Sequence, residues 1–374
     1  MAKIPVTRAP ELLPKLHLQT SALFELGGDV YVYDTVLTDI GIAASGSNCT
    51  VKFYDHNTLQ EKSKVTYHSD QITQIQAREN SFQSCSLDGQ VAIWDLRQSL
   101  TASPALTFRS QDPVLSFDIS SDDRLLASGS RLDEGYHVAR MHFWDVRAAG
   151  SQPMHTFENS HSDDITQIHF NKHDGSQMLS GSTDGLLCTY NVNETDEDEA
   201  LLFVANTGAS LAHCGYFGPE SQFIYAHSDM ETLQLWTDDA SLLADFGDVR
   251  TIGESGIPVD YMAAFRYCPS EQRLYMAAGT NGGDLHLLHV GAGSLEHVEV
   301  LAAGHAGIVR GFTWDLDGGW AVSGGEDGRL SLWTRQEPPK PVQPFASSSG
   351  SNSGSGSGSA FKSESTPRTR FSPY

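Results

Sequence analysis

The sequence predicts an all-β fold: a seven-bladed β-propeller closed by an N-terminal strand and followed by a disordered C-terminal tail. Three observations predict it. A hairpin signal, Asp-Gly between two alternating runs, recurs along the chain. The copies end on a bulky residue, and successive ends lie 40, 50, 46, 46, 52 and 45 residues apart. No helical periodicity competes with the short strands. A period of about 40 to 50 residues holding four strands is that of a propeller blade.

The clearest hairpin is "CSLDGQVAIWDLR" (85–97), with Asp88-Gly89 in the turn and Trp94-Asp95 at the end. "GSTDGLLCTYNV" (181–192) aligns with it through Asp184 and Tyr190, and "GGEDGRLSLWTR" (324–335) through Asp327 and Trp333. Weaker copies are "SGSNCTVKFYD" (45–55), "HSDMETLQLW" (227–236) and "GTNGGDLHLLHV" (279–290). A seventh, "ASGSRLDEGYHVARMHFWDVR" (127–147), carries an insertion between its strands. The series at the Trp94 place is Tyr54, Trp94, Trp144, Tyr190, Trp236, Leu288 and Trp333. Upstream, His68, His161 and His305 each open a short alternating run, as in "HSDQITQIQA" and "HSDDITQIHF".

These Asp-Gly…Trp-Asp units with an upstream His resemble WD40 repeats, over roughly residues 25–335. The resemblance implies a buried tetrad of His, Ser or Thr, Asp and Trp in each complete blade. A buried indole N–H and imidazole need partners in any case. The second blade offers His68, Ser86, Asp88 and Trp94; the fourth offers His161, Ser182 and Asp184, with Tyr190 for Trp. The seventh offers His305, Asp327 and Trp333, with Gly325 at the Ser place. These histidines therefore read as structural.

Closure follows from counting strands. After Trp333 the chain runs "TRQEPPKPVQPF", whose prolines deny it a ladder. Residues within about 15–21 alternate and have no blade of their own, so they are expected to supply the missing outer strand and remove two open edges. The expected organisation is an extension over 1–14, the propeller over 15–336 and the tail over 337–374. That tail is Pro-rich, then Gly/Ser-rich, a composition that behaves as flexible coil. Thr366-Pro367 and Ser372-Pro373 resemble proline-directed phosphorylation sites.

Composition fits a globular chain, with 39% hydrophobic and 19% charged residues. No apolar run spans a bilayer, and no signal peptide is read at the N-terminus. Five scattered cysteines form no CxxC pair. The expected location is the nucleus or the cytoplasm, both reducing. Net charge is −23, and residues 334–374 hold five Lys/Arg against two Glu, so the remainder carries −26. Such a body repels phosphate, so direct nucleic-acid binding is not expected. It attracts basic partners instead.

Three features stand out as candidate protein-binding sites. The insertion "RLDEGYHVAR" (131–140) should rise on the side of the His-bearing connections. Glu194, Asp196, Glu197, Asp198 and Glu199 form a cluster that could receive a Lys/Arg-rich segment, and their spacing lacks the EF-hand pattern. Trp-Asp-x-Arg occurs in consecutive blades at 94–97 and 144–147, so Arg97 and Arg147 could each present a guanidinium fork. The motif resembles the one by which some WD40 proteins dock on the adaptor of cullin-4 ubiquitin ligases. No enzyme motif appears, and no catalytic residue, cofactor or metal is assigned. The expected function is a non-enzymatic scaffold, monomeric within a larger complex and without membrane association. Two forms are open: an acidic escort for a basic client such as a ribosomal protein or histone, or a ligase substrate receptor.

Overall fold

In the computed structural model the described residues are 4–98, 103–148 and 152–335. They form seven sheets, each with four antiparallel strands, and one of them carries a fifth. Blade one runs Val32–Thr38, Gly41–Gly46, Val51–Tyr54 and Glu61–Val65. Blade two runs Ile72–Arg78, Ser81–Ser86, Gln90–Asp95 and Leu106–Arg109; blade three Val114–Ile119, Leu125–Ser130, Met141–Asp145 and His155–Phe157. Blade four runs Ile165–Phe170, Gln177–Ser182, Leu186–Asn191 and Leu201–Asn206; blade five Leu211–Phe217, Phe223–Ser228, Thr232–Thr237 and Leu242–Asp248. Blade six runs Tyr261–Cys268, Arg273–Gly279, Leu285–Val290 and Leu295–Leu301. All seven residues of the Trp94 series fall in third strands.

The Asp-Gly turns work because glycine tolerates a left-handed backbone. Gly89 sits at φ 80°, and a Cβ there would meet the Ser110 carbonyl oxygen at 2.8 Å.

Blade seven has three strands of its own, Val309–Asp315, Trp320–Gly325 and Arg329–Thr334. Its fourth is His17–Leu23, antiparallel to Arg329–Thr334, with Leu18 opposite Trp333 and Leu23 opposite Arg329. The N-terminal closure expected from strand counting is therefore present, two residues further along the chain. Val6–Arg8, read from sequence as part of an extension, adds a fifth strand to blade six, parallel to Leu295–Leu301. The tail expected over 337–374 lies outside the described residues.

The apolar core is divided. Seven buried clusters sit at the seven junctions between successive blades. Between blades two and three, for example, Val91, Phe108, Phe117 and Trp144 pack together. Every sheet thus hides both faces, and second and third strands such as Ser81–Ser86 and Gln90–Asp95 are buried at all but their end residues.

Near the axis each junction also carries a polar latch. Asp34 accepts from Ile75 N at 3.1 Å, Gln74 from Phe117 N at 2.8 Å and Asp118 from Phe170 N at 2.8 Å. Thr166 donates to Leu211 O, Glu231 accepts from Met262 N, and the Tyr261 hydroxyl accepts from Val309 N. Thr313 donates to Thr35 O and completes the circle. A side chain of one blade satisfies a backbone group of the next, so buried peptide groups that a sheet edge would leave open are paired.

Candidate protein-interaction surfaces

The histidines are spent on structure. His68 Nδ1 lies 3.0 Å from Asp88 and its Nε2 2.6 Å from the Ser84 hydroxyl. His161 pairs likewise with Asp184 at 3.1 Å and Ser180 at 2.6 Å, and His305 with Asp327 at 3.1 Å and Ser323 at 2.7 Å. Their side chains are at most 1% exposed. Burial pushes His161 down, but the Asp184 carboxylate opposes it and leaves the ring at about 9. Burial alone would raise Asp88, Asp184 and Asp327, yet the facing imidazoles hold all three carboxyls below their ordinary value.

The serines expected in these sets need correction. Ser86 and Ser182 are not tetrad members. Ser86 donates to Asp70 O and accepts from Asp88 N, and Ser182 does the same with Asp163 O and Asp184 N. They tie down the turn. The hydroxyl that reaches the imidazole sits two residues earlier, deeper in the strand: Ser84 and Ser180. In blade seven Ser323 fills that place, so Gly325 was the wrong position and the set is complete there. Only in blade seven does the indole join by a normal bond, Trp333 Nε1 donating to Ser323 at 2.9 Å. The Nε1 atoms of Trp94, Trp144 and Trp236 are buried without a hydrogen bond. In blade five the reason is plain: Ala226 occupies the serine place.

Blade three uses a different arrangement. His142, on the third strand, bonds Asp112 at 3.0 Å and Thr156 at 3.0 Å. Arg140, the last residue of the insertion, donates to Asp112 at 2.9 Å and to Glu158 at 3.0 Å. Leu132 N donates to Asp164 in the connection entering blade four. The insertion is therefore anchored at both ends over that connection, and its exposed aromatic is Tyr136, 77% accessible.

Arg97 and Arg147 occupy matching places. Arg97 donates through Nε and Nη2 to the two oxygens of Asp95, both at 2.8 Å; Arg147 does so to Asp145 at 2.9 and 2.7 Å. Hydrogen bonds from Arg147 pull the Asp145 carboxyl down to about 2. Each fork is held by its own Trp-Asp carboxylate, and the two arginine side chains are 71% and 67% exposed. Arg97 also borders a groove of about 300 Å³ with Trp94, Asn80 and Leu106. Sharing Glu79, Ser81 and Asp123 with it, a cavity of about 990 Å³ opens where the inner strands of blades two to four end. Its Arg78 is paired with Asp118 and Asp123.

The acidic cluster is divided by its own hydrogen bonds. Asp196 caps a single helical turn, Glu197–Ala200, by accepting from Asp198 N and Glu199 N. Glu197 turns back and accepts from Glu158 N, Asn159 N, Ser160 N and the Ser160 hydroxyl at 2.5 to 2.9 Å. It thus clamps the connection that carries His161. Glu194, Asp198 and Glu199 remain exposed, and no hydrogen bond or ion pair of their carboxylates is found among the described residues. Elsewhere, no three His, Cys, Asp or Glu side chains converge as metal ligands among the described residues. No helix among them is long and apolar enough to cross a membrane.

A ring of seven blades with His-Asp-Ser sets at the blade connections defines a WD-repeat propeller, and the comparisons agree. The WD40 profile (WD domain, G-beta repeat) matches residues 151–191 and 296–334. WD repeat-containing protein GTS1 of Arabidopsis thaliana is 31% identical over 346 residues, 86% of each chain. The WD repeat-containing protein 89 homolog of Dictyostelium discoideum is 27% identical over 316 residues, 83% of this chain and 84% of that one. An uncharacterized WD repeat-containing protein of Saccharomyces cerevisiae is 27% identical over 80% of this chain. The chain belongs to the WD40 repeat family. Propellers of this family are typically protein-interaction scaffolds and generally not catalysts.

Proposed function

We propose that this propeller is an acidic escort for a Lys/Arg-rich client in the nucleus or cytoplasm. The observation that carries the reading is charge: −26 outside residues 334–374. Folding does not neutralise it. Glu79, Glu134, Glu220 and Asp229 are exposed and make no ion pair among the described residues, as do Glu194, Asp198 and Glu199. Such a surface raises the association rate of a cationic partner and screens its charge. A ribosomal protein or a histone has the composition required.

The test is affinity capture of the full chain at about 0.05 M and about 0.3 M salt, with the captured proteins identified. Exposed charge is attenuated over a Debye length of roughly 10 Å at 0.1 M. Captured proteins should be Lys/Arg-rich and should be lost at the higher salt. A low-salt capture without basic proteins sinks the escort reading.

A second reading is a substrate receptor for a cullin-4 ligase adaptor. It is supported by the matched forks of Arg97 and Arg147 on adjacent blades and by the groove beside Arg97. If the double variant Arg97→Ala/Arg147→Ala binds the adaptor as the unaltered chain does, that reading is wrong.

A further inference from the structure

The outer strands of the blades differ in how they are protected. An exposed strand edge offers unpaired N–H and C=O groups and is normally blunted by charge, brevity, irregularity or a cover. Blade one's Glu61–Val65 carries Lys62 and Lys64. Blade two's Leu106–Arg109 has four residues and ends on an arginine; blade three's outer strand has three residues. Blade five's Leu242–Asp248 contains Asp245 and breaks register twice. Blade six is covered by Val6–Arg8. Blade seven's His17–Leu23 holds Gln19, Thr20 and Ser21.

Blade four keeps only one such device, a single break of register between Thr189 and Tyr190. Its outer strand Leu201–Asn206 reads Leu-Leu-Phe-Val-Ala-Asn, without a charge or a proline. It has no further strand beside it among the described residues. Leu202, Phe203 and Val204 are 41%, 44% and 48% exposed. Register shows that they serve both faces. Val204 lies opposite Cys188, whose side packs toward blade three; Phe203 lies opposite Thr189, on the face that Ala205 packs toward blade five. Immediately before this strand stand the unpaired carboxylates Glu194, Asp198 and Glu199.

We propose that Leu201–Asn206 is a strand-addition site. It takes an extended segment of a client with apolar residues at alternate positions and Lys or Arg at the end that meets Glu194, Asp198 and Glu199. The apolar edge supplies backbone hydrogen bonds and side-chain contacts, and the carboxylates set orientation and select a basic end. The fold already performs this pairing once, where Val6–Arg8 lies along the outer strand of blade six. The proposal rests on the acidic-escort reading and locates a contact for it.

The experiment uses the full chain and two labelled peptides of alternating Val and Thr, one ending in Lys-Lys and the other in Glu-Glu. The Lys-ended peptide should bind about three- to tenfold more tightly, the sum of a few exposed charge pairs. The preference should vanish in Glu194→Gln/Asp198→Gln/Glu199→Gln. Val204→Lys, at an exposed position, should weaken the Lys-ended peptide at least about tenfold. Bound peptide should slow hydrogen exchange at the amides of residues 201–206. Equal binding of the two peptides, undiminished binding to Val204→Lys, or protection elsewhere overturns the proposal. So does a concentration-dependent dimer of the unaltered chain, lost in Val204→Lys, that takes up no peptide. These failures leave the escort reading intact, since that stands on salt-dependent capture of basic proteins by the whole surface.

Discussion

Replacing Ser323 by alanine removes one hydroxyl from the interior of blade seven, where the residue is fully buried. That hydroxyl serves two partners, the Trp333 indole N–H at 2.9 Å and the His305 ring at 2.7 Å. Water cannot replace it without opening the blade. A buried polar group left unsatisfied costs about 1–3 kcal/mol. Two such groups put the loss at about 2–5 kcal/mol, allowing for relaxation. Unfolding entropy of ~2.1 cal/mol/K per residue over a ring of roughly 300 residues is ~0.6 kcal/mol/K, so the midpoint should fall by about 3–8 °C. Thermal unfolding followed by circular dichroism reads this directly. The attribution is checked by a cycle with Trp333→Phe, which deletes the indole N–H. In that background Ser323→Ala should cost about 1–2 kcal/mol less, because one of the two stranded groups is gone. A midpoint shift below about 1 °C, or strictly additive losses, would refute the claim that this hydroxyl bridges the two rings.

Three further outcomes are expected. Glu197→Ala should leave the Glu158, Asn159 and Ser160 amides without their acceptor. Hydrogen exchange at those amides should accelerate by about tenfold or more while the inner strands stay protected; unchanged exchange would show that the clamp contributes nothing. Burial raises Asp34 to about 7 from 3.8, against the pull of the Ile75 and Thr35 amides. Between those values the folded chain retains a proton that the unfolded chain has released. This group's stabilising contribution is therefore complete below about pH 4 and lost as pH rises to 7. Asp34→Asn removes the dependence, so unaltered chain and variant should diverge in midpoint from pH 4.5 to 7, the variant gaining; a constant difference excludes the effect. Ala226→Ser places a hydroxyl beside the unpaired Trp236 Nε1 and should raise stability by about 0.5–1 kcal/mol. A destabilised variant would mean that blade five has closed around the alanine.

Blade number, strand order and closure were legible because their signals are local: an Asp-Gly turn, alternation around it and an aromatic at a fixed distance. The serine of each His-Asp set was not, because Ser84 and Ser86 share one face of a period-two strand and alternation cannot choose between them. A signal did exist: Ser84, Ser180 and Ser323 each stand four residues before the turn aspartate. The His142–Asp112 pair spans 30 positions and two elements, so no spacing announced it. Val6–Arg8 is three residues flanked by prolines, too short for a pattern. The acidic cluster was visible as composition, but only folding shows Glu197 turned inward to the His161 connection while Glu194, Asp198 and Glu199 stay outside. Arg97 and Arg147 were found by motif, and the carboxylates that hold their forks are the Asp of the same motif.

The strand that closes blade seven sets a timetable for synthesis. Ser21 meets Ser331 across 310 positions. At a ribosomal pace of ~5–20 residues per second, His17–Leu23 waits about 15–60 s before its partner emerges. Six blades can stack during that interval, with the two junctions of blade seven still open. The ring is therefore finished as a single late event, and a chain stalled before Thr334 is left with two raw edges for chaperones to guard.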